Sequence, residues 1–394
     1  MKKKLVQNTS NYFQEKFNTY PENIFLSPGR INIIGEHVDY NDGYVLPAAI
    51  NKYICFAITK NNSTQCEIIA KDLDDSYTFD IIQNIQPIDK MWANYILGVL
   101  QQFKEKGLSF SGFKMAFSST IPMGAGLSSS AALECGIAYA LNKLFDLGLS
   151  KKEIAVIGQL SEHTFAGVNC GIMDQFASVF GKKNQVIQLD CNTLEHHYYK
   201  ADFKNYVLVL LDSCVKHTHL TSGYNDRRNE VEKGLAIIKN HFPEVITFRN
   251  CTPEMIHTLE NELGEIIYKR CLFVVNEINR VKKAVEAIEK EKFSTLGELM
   301  SETHYGLSKN YEVSCDEIDF LVENALENKS VLGARMMGGG FGGCSINLIE
   351  KGKENEVIKN VSEAYKKQFN IDLKPYKIKI SKGTSEYKKT YANL

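Results

Sequence analysis

The chain has 394 residues, 44% hydrophobic and 24% charged, with a formal net charge of −1. That is ordinary globular composition, long enough for two or three domains at roughly 100 to 200 residues each, and it argues against intrinsic disorder. The balanced charge lacks the basic footprint of a nucleic-acid binder, and no run approaches the ~18 apolar residues of a membrane span, so neither nucleic acid nor membrane is expected as a partner. Lys2, Lys3 and Lys4 resemble the start of a signal peptide, but the polar residues 7–12 (QNTSNY) stand where its apolar run belongs. The ten cysteines include no C-x-x-C pair and read as buried small hydrophobes rather than as a zinc site or disulfide framework. A cytoplasmic location is the expectation.

Residues 25–47 (FLSPGRINIIGEHVDYNDGYVLP) crowd Arg30, Glu36, His37 and Asp39 among isoleucines. The alternation at 31–33 predicts a strand with Arg30 at one end, and Gly35 predicts a turn that presents Glu36, His37 and Asp39 together. Donors and acceptors so grouped suit a polyhydroxylated ligand; a solvated loop with surface ion pairs is the plain alternative. Residues 53–59 (YICFAIT) and 113–117 (FKMAF) read as strands.

Residues 121–134 (IPMGAGLSSSAALE) put glycines 124 and 126 just before a predicted helix over 128–147, ended by Gly148. Glycines let main chain approach closely, and a helix N-terminus offers unpaired N–H groups and partial positive charge to phosphate. A plain capped helix after a glycine turn is the alternative, although no capping need calls for three serines. No G-x-x-x-x-G-K-[ST] is present, so this is not a Walker loop, and a divalent cation would have to offset more of the phosphate charge.

Ser150 and Glu153 form a capping-box signature for a helix that should end near Gly167, with Glu162 at an unremarkable surface position. In residues 170–180 (CGIMDQFASVF), Asp174 stands in apolar company, either as a helix cap or as a functional carboxylate. Strands are predicted over 186–189 and 206–212, and helices over 225–241, 276–291 and 317–327. Gly338, Gly340 and Gly343 satisfy G-x-G-x-x-G, but the strand-like CSINLI follows where a dinucleotide fold needs a helix, so a tight turn near the active site or between strands is expected. The mixed order points to α+β layers with a boundary near 190–200.

Three segments, residues 25–32, 122–132 and 333–344 (GARMMGGGFGGC), resemble the signatures of the GHMP kinases. Residues 29–47, 170–176 (CGIMDQF), 222–228 (SGYNDRR) and 304–319 (HYGLSKNYEVSCDEID) resemble, more narrowly, the galactokinase branch of that family. The resemblance implies an α+β, two-domain GHMP kinase fold: an N-terminal domain over 1–195 with the sugar signature and ATP loop, a C-terminal domain over 196–394, and the active site between them. It implies ATP-dependent phosphorylation of the anomeric C1 hydroxyl of α-D-galactose, with galactose and ATP as small-molecule partners and magnesium (Mg2+) as cofactor. The oligomeric state is left open, a monomer being the simplest expectation.

Residue by residue, the resemblance implies that Asp174 is the catalytic base and Arg30 the transition-state arginine. Glu36, His37, Val38, Asp39, Gly171 and Tyr224 fall at sugar-binding positions. Gly124, Ala125, Gly126, Leu127, Ser128, Ser129 and Ser130 form the nucleotide loop, and Ser130 and Glu162 fall at the magnesium positions. Trp92 is matched to an aromatic near adenine, with simple packing as the alternative. Two rivals follow from the same motifs. One is an N-acetylgalactosamine kinase. The other is a catalytically silent galactose sensor, against which the intact Ser130-Ala131 pair argues.

Overall fold

The computed structural model describes residues 2–216 and 220–388. A six-stranded sheet carries the first half, in the order Ser385–Glu386, Asn23–Asn32, Pro47–Lys60, Phe113–Ser119, Gln65–Ala70 and Asp75–Asp80. Its neighbours run antiparallel except for Gln65–Ala70 beside Phe113–Ser119. The strands Asn23–Asn32 and Pro47–Lys60 are buried along most of their length, because apolar, often β-branched residues occupy both faces. Helices Met91–Glu105, Ser129–Leu144, Lys151–Ser161 and Met173–Phe180 pack with one another beside this sheet.

A second, four-stranded sheet orders Val331–Met337, Gly342–Glu350, Tyr206–Lys216 and Lys374–Lys377. A third joins Tyr44–Val45, Gln185–Asp190 and His196–Lys200. The division drawn at 195/196 therefore passes through the turn of the hairpin that pairs Gln185–Asp190 with His196–Lys200. The chain also returns to its first sheet at Ser385–Glu386, which pairs with Asn23–Asn32. A linear split of the sequence thus differs from the split of the sheets.

Several boundaries move for physical reasons. The helix expected to reach residue 147 ends at Leu144, and Asp146 has already turned left-handed at φ 51°. The helix expected over 276–291 begins at Glu260, bends at Gly264, and ends at Glu289. Its middle (CLFVV, 271–275) is a continuous apolar run, which hides the helical period because the helix is buried on more than one side. The Ser150 capping box is present, and the helix it starts runs into a π-helical turn, Glu162–Ala166, ended by the left-handed Gly167. Among the described residues no helix is long and apolar enough to cross a membrane.

Candidate active site

Arg30 stands where the first strand meets the glycine-serine loop. Its main-chain N–H donates to the Leu127 carbonyl at 3.2 Å, and its Nη1 donates to the Gly126 carbonyl at 2.5 Å. The guanidinium grips Asp174 in two places, Nε to Oδ1 at 2.6 Å and Nη2 to Oδ2 at 2.8 Å. A bidentate, charge-assisted pair of this kind fixes both groups in orientation. Ser128 is the N-cap of helix Ser129–Leu144, yet its hydroxyl donates to Asp174 Oδ2 instead of capping the helix. Burial alone would lower the Arg30 pKa, but Asp174 and Glu36 outweigh it and raise the value. Asp174 lies in the first turn of Met173–Phe180, and its side chain is 27% exposed.

Two cavities meet around this pair, and a third adjoins the second. The first, about 130 Å³, is lined by Arg30, Glu36, His37, Asp39, Glu162, Gly171, Asp174 and Tyr224 among others. The second, about 410 Å³, shares Arg30, Glu162 and Asp174 with it and is walled by Gly124, Gly126, residues 127–130 and residues 339–343. The third, also about 410 Å³ and mostly apolar, shares Tyr95, Ser129 and Ser130 with the second and is lined by Met91, Trp92, Phe117 and Leu133. Arg30 and Asp174 therefore sit at the junction of a small polar pocket and an open channel that leads to an apolar slot.

The polar pocket is wired from behind. Glu36 Oε1 accepts from Arg335 Nη1 at 3.0 Å and from the Gly338 N–H at 2.9 Å. Burial alone would raise its pKa, but Arg335 and Arg30 hold it below the usual carboxylate range. Asp39 packs so closely on Gly171 that a Cβ there would stand 2.2 Å from the carboxylate, which is why this position is glycine. Burial, then Asp174 and Glu36, push Asp39 up to about 7. Burial pushes the His37 imidazole down to about 4, and its Nε2 is buried with no partner. Val38 is fully buried and lines none of these cavities, and its carbonyl is taken by the N–H groups of Asn41 and Gly43. It reaches the site only through the fold of its turn.

Glu162 is buried, 9% exposed, not at the surface as its helix position suggested. The helix widens to a π-helical turn at this residue, a common device for re-aiming a functional side chain. Its carboxylate receives Gln175 Nε2 at 2.8 Å and Cys170 Sγ at 3.6 Å, and the Ser130 hydroxyl bonds to it as well. Burial, then Asp174, push Glu162 up to about 7. Behind it Glu134 is fully buried, its Oε1 without a partner, and burial with the Glu162 charge drives its pKa well above the ordinary range. Buried carboxyl groups thus outnumber the cations that face them. A hydroxyl and a carboxylate side by side are hard oxygen donors, the kind a magnesium ion prefers, so the residues present are compatible with one.

The second glycine cluster closes the channel. A Cβ on Gly338, at φ 88°, would stand 3.3 Å from the Gly126 carbonyl, and one on Gly343, at φ 80°, 3.4 Å from Ala125 and Gly126 main chain. Two main chains pack closely here and both glycines hold a left-handed backbone that other residues rarely adopt, so the G-x-G-x-x-G run is a turn packed on the first loop and leads into strand Gly342–Glu350. Ala125 is buried under this contact and lines none of the three cavities. Trp92 stands in the apolar slot with Nε1 donating to Asp75 Oδ2 at 2.9 Å.

Sequence reasoning missed Arg335, Glu134, Gln175, Tyr40, Tyr311 and the part Ser128 plays at Asp174. For two of them a signal existed. Arg335 is the lone charge in the apolar strand VLGARMM, and Glu134 in the helix run AALECGIAYAL; a buried charge must be paired or neutralised.

Family models describe the same regions. The GHMP kinases N terminal domain matches residues 94–182, the Galactokinase galactose-binding signature residues 11–60, and the GHMP kinases C terminal residues 284–367. A galactokinase of Thermotoga petrophila is 42% identical over 360 residues, covering 91% of this chain and 99% of its own. The chain belongs to the galactokinase family. A galactokinase of Thermotoga maritima, 41% identical over 360 residues, covers the same share of the chain. Among solved structures, the Lactococcus lactis galactokinase complexed with galactose superposes with a TM-score of 0.93 at 32% identity, over 97% of this chain and 100% of its own. The Methanococcus jannaschii mevalonate kinase, at TM-score 0.60 and 21% identity over 91% of this chain, shares the fold.

Proposed function

We propose that this chain is a galactokinase: it transfers the γ-phosphoryl group of ATP to the anomeric C1 hydroxyl of α-D-galactose, forming α-D-galactose 1-phosphate and ADP, the first phosphorylation in galactose catabolism by the Leloir route. The observation that carries this reading is the Arg30–Asp174 pair at the mouth shared by the polar pocket and the phosphate channel. Galactose occupies the small pocket, where Glu36, His37, Asp39 and Tyr224 face its hydroxyls, and the close Asp39–Gly171 contact fixes one wall. ATP lies along the channel, its phosphates against the first-turn N–H groups of helix Ser129–Leu144 and its base in the slot beside Trp92.

The sugar O1 attacks the γ-phosphorus while the bond to the bridging β-phosphate oxygen breaks and ADP departs; the C1 hydroxyl proton passes to Asp174. Asp174 is already oriented by Arg30 and Ser128, so little reorganisation is needed when the hydroxyl arrives. Arg30 keeps a fixed positive charge beside the moving phosphoryl group, where charge neutralisation does most of the catalytic work. Ser130 and Glu162 would hold a magnesium ion, which supplies Lewis-acid neutralisation of phosphate oxygens. The ten cysteines are free thiols, in keeping with a reducing, cytoplasmic setting.

The test is a coupled ADP-release assay with galactose and N-acetylgalactosamine in parallel. Turnover on galactose well above that on the N-acetyl sugar is expected. The reverse preference would reassign the substrate, and no ADP release with either would point to a sensor.

A further inference from the structure

His37 reaches the sugar pocket with one ring nitrogen free. Nε2 is buried without a partner, while Nδ1 lies 2.8 Å from the Tyr40 hydroxyl, which in turn lies 2.9 Å from the Tyr311 hydroxyl. A neutral imidazole presents either an N–H or a lone pair at Nε2, and the two recognise opposite partners. Burial pushes both phenols up, so each keeps its proton to donate.

Counting those protons decides the direction. Tyr311 is fully buried, and among the described residues its hydroxyl bonds only to Tyr40. If His37 Nδ1–H donated to Tyr40, three protons would share two bonds: either Tyr40 donates to Tyr311 and the Tyr311 proton has no acceptor, or Tyr40 accepts from both and its own proton has none among the described residues. In the opposite sense, Tyr311 donates to Tyr40 and Tyr40 to Nδ1; both phenol protons are used, and the one proton left over is the ring proton on Nε2, on a residue that lines the sugar pocket, where the sugar supplies the acceptor.

The far end of the chain is anchored. Arg227 Nε donates to the Tyr311 carbonyl at 2.7 Å, and Arg270 donates to the Asn310 carbonyl and to Glu312 Oε2, the latter at 2.6 Å. The Tyr311 ring lies between His37, 5.0 Å away, and Phe273, 4.8 Å away, centroid to centroid.

We propose that Tyr311 and Tyr40 act as a hydrogen-bond relay that fixes His37 as its Nε2–H tautomer, so that this histidine donates to a sugar oxygen and cannot accept from one. Both tyrosines are positioning residues. The consequence is a specificity rule: the sugar must present an acceptor to His37. A fluorine in place of that hydroxyl retains a contact, whereas an ammonium group there is rejected. The proposal rests on the assignment of this pocket to galactose.

The experiment labels the histidines of the full chain with ¹⁵N and reads tautomers from two-bond ¹H–¹⁵N spectra, with His37→Ala used to assign the signal. Wild type should show His37 protonated at Nε2 and hydrogen-bonded as an acceptor at Nδ1; protonation at Nδ1 would overturn the relay. Tyr40→Phe should shift the Nδ1 resonance and raise the galactose KM about tenfold, as for one lost hydrogen bond, with kcat and the ATP KM within about twofold. Tyr311→Phe should act in the same sense but by about threefold, since Tyr40 can still donate to Nδ1. An unchanged His37 signal and galactose KM in Tyr40→Phe would also overturn the relay. If Tyr40→Phe does not fold, the wild-type spectrum alone decides. A protein with the expected tautomer but no turnover on galactose would retain the relay and lose the substrate assignment.

Discussion

On the side of the cleft proposed for the sugar, Glu36 is held by Arg335, Asp39 rests on Gly171, and Asp174 is gripped by Arg30 and Ser128. On the side proposed for the nucleotide, the walls are glycine main chain from two loops and the apolar faces of Met91, Trp92, Phe117 and Leu133. The difference follows from the ligands. A neutral sugar is recognised only by directional hydrogen bonds, so each group that meets it must be fixed by a second group behind it. ATP brings charge and a flat base, so main-chain N–H groups and apolar surface suffice. Substitutions on the two sides should therefore separate cleanly in kinetics.

The largest effect is expected at the junction. Asp174→Asn preserves shape but removes the acceptor charge, and should lower kcat about 10³-fold with both KM values within about threefold. Steady-state kinetics on both substrates checks this, and a variant that keeps more than a tenth of wild-type kcat would remove Asp174 from the chemistry. Gly171→Ala drives a methyl group into the Asp39 carboxylate. It should raise the galactose KM about 10- to 100-fold by overpacking and leave the ATP KM unchanged. A parallel rise for ATP would mean that the two sides are not separately built. Trp92→Phe keeps an aromatic face but loses the bond to Asp75. It should raise the ATP KM only about threefold, with no change for galactose.

A separate effect is on stability. Burial and its neighbours raise Asp39 from 3.8 to about 7, so between those values the folded chain holds a proton that the unfolded chain has lost. The contribution of Asp39 is fully present below pH 3.8 and declines as pH rises to about 7. Asp39→Asn removes this titration. Urea unfolding should show its stability, relative to wild type, increasing from pH 4 to pH 8; a constant difference would place Asp39 in a less strained setting.

Much of the cleft was legible in the linear chain because it is built from short contiguous runs. Arg30 through Asp39, Gly124 through Ser130, and Gly171 with Asp174 each lie within one short contiguous segment, where glycines and serines signal their own geometry. The groups that stayed hidden act across long separations. Arg335 meets Glu36 from 299 residues away, Tyr311 meets Tyr40 from 271, and Asp174 meets Ser128 from 46. Helix Glu260–Glu289 was read short because burial on several faces erased its period, and Glu162 was read as exposed because a helix position alone does not reveal a π-helical turn.

The sequence by itself determined the loop before helix Ser129–Leu144, the absence of a Walker lysine, and the grouping of Arg30, Glu36, His37 and Asp39 in one short run, because residue type and local spacing settle main-chain conformation and charge. Only the tertiary structure decided what each of those groups is bonded to: that Ser128 orients Asp174 rather than capping its helix, that Glu162 is buried beside Ser130, that the second glycine cluster seals the first, and that two tyrosines stand behind His37. Hydrogen bonds and burial depend on which distant segments the sheets bring together, and that information is carried by packing, not by any one stretch of chain.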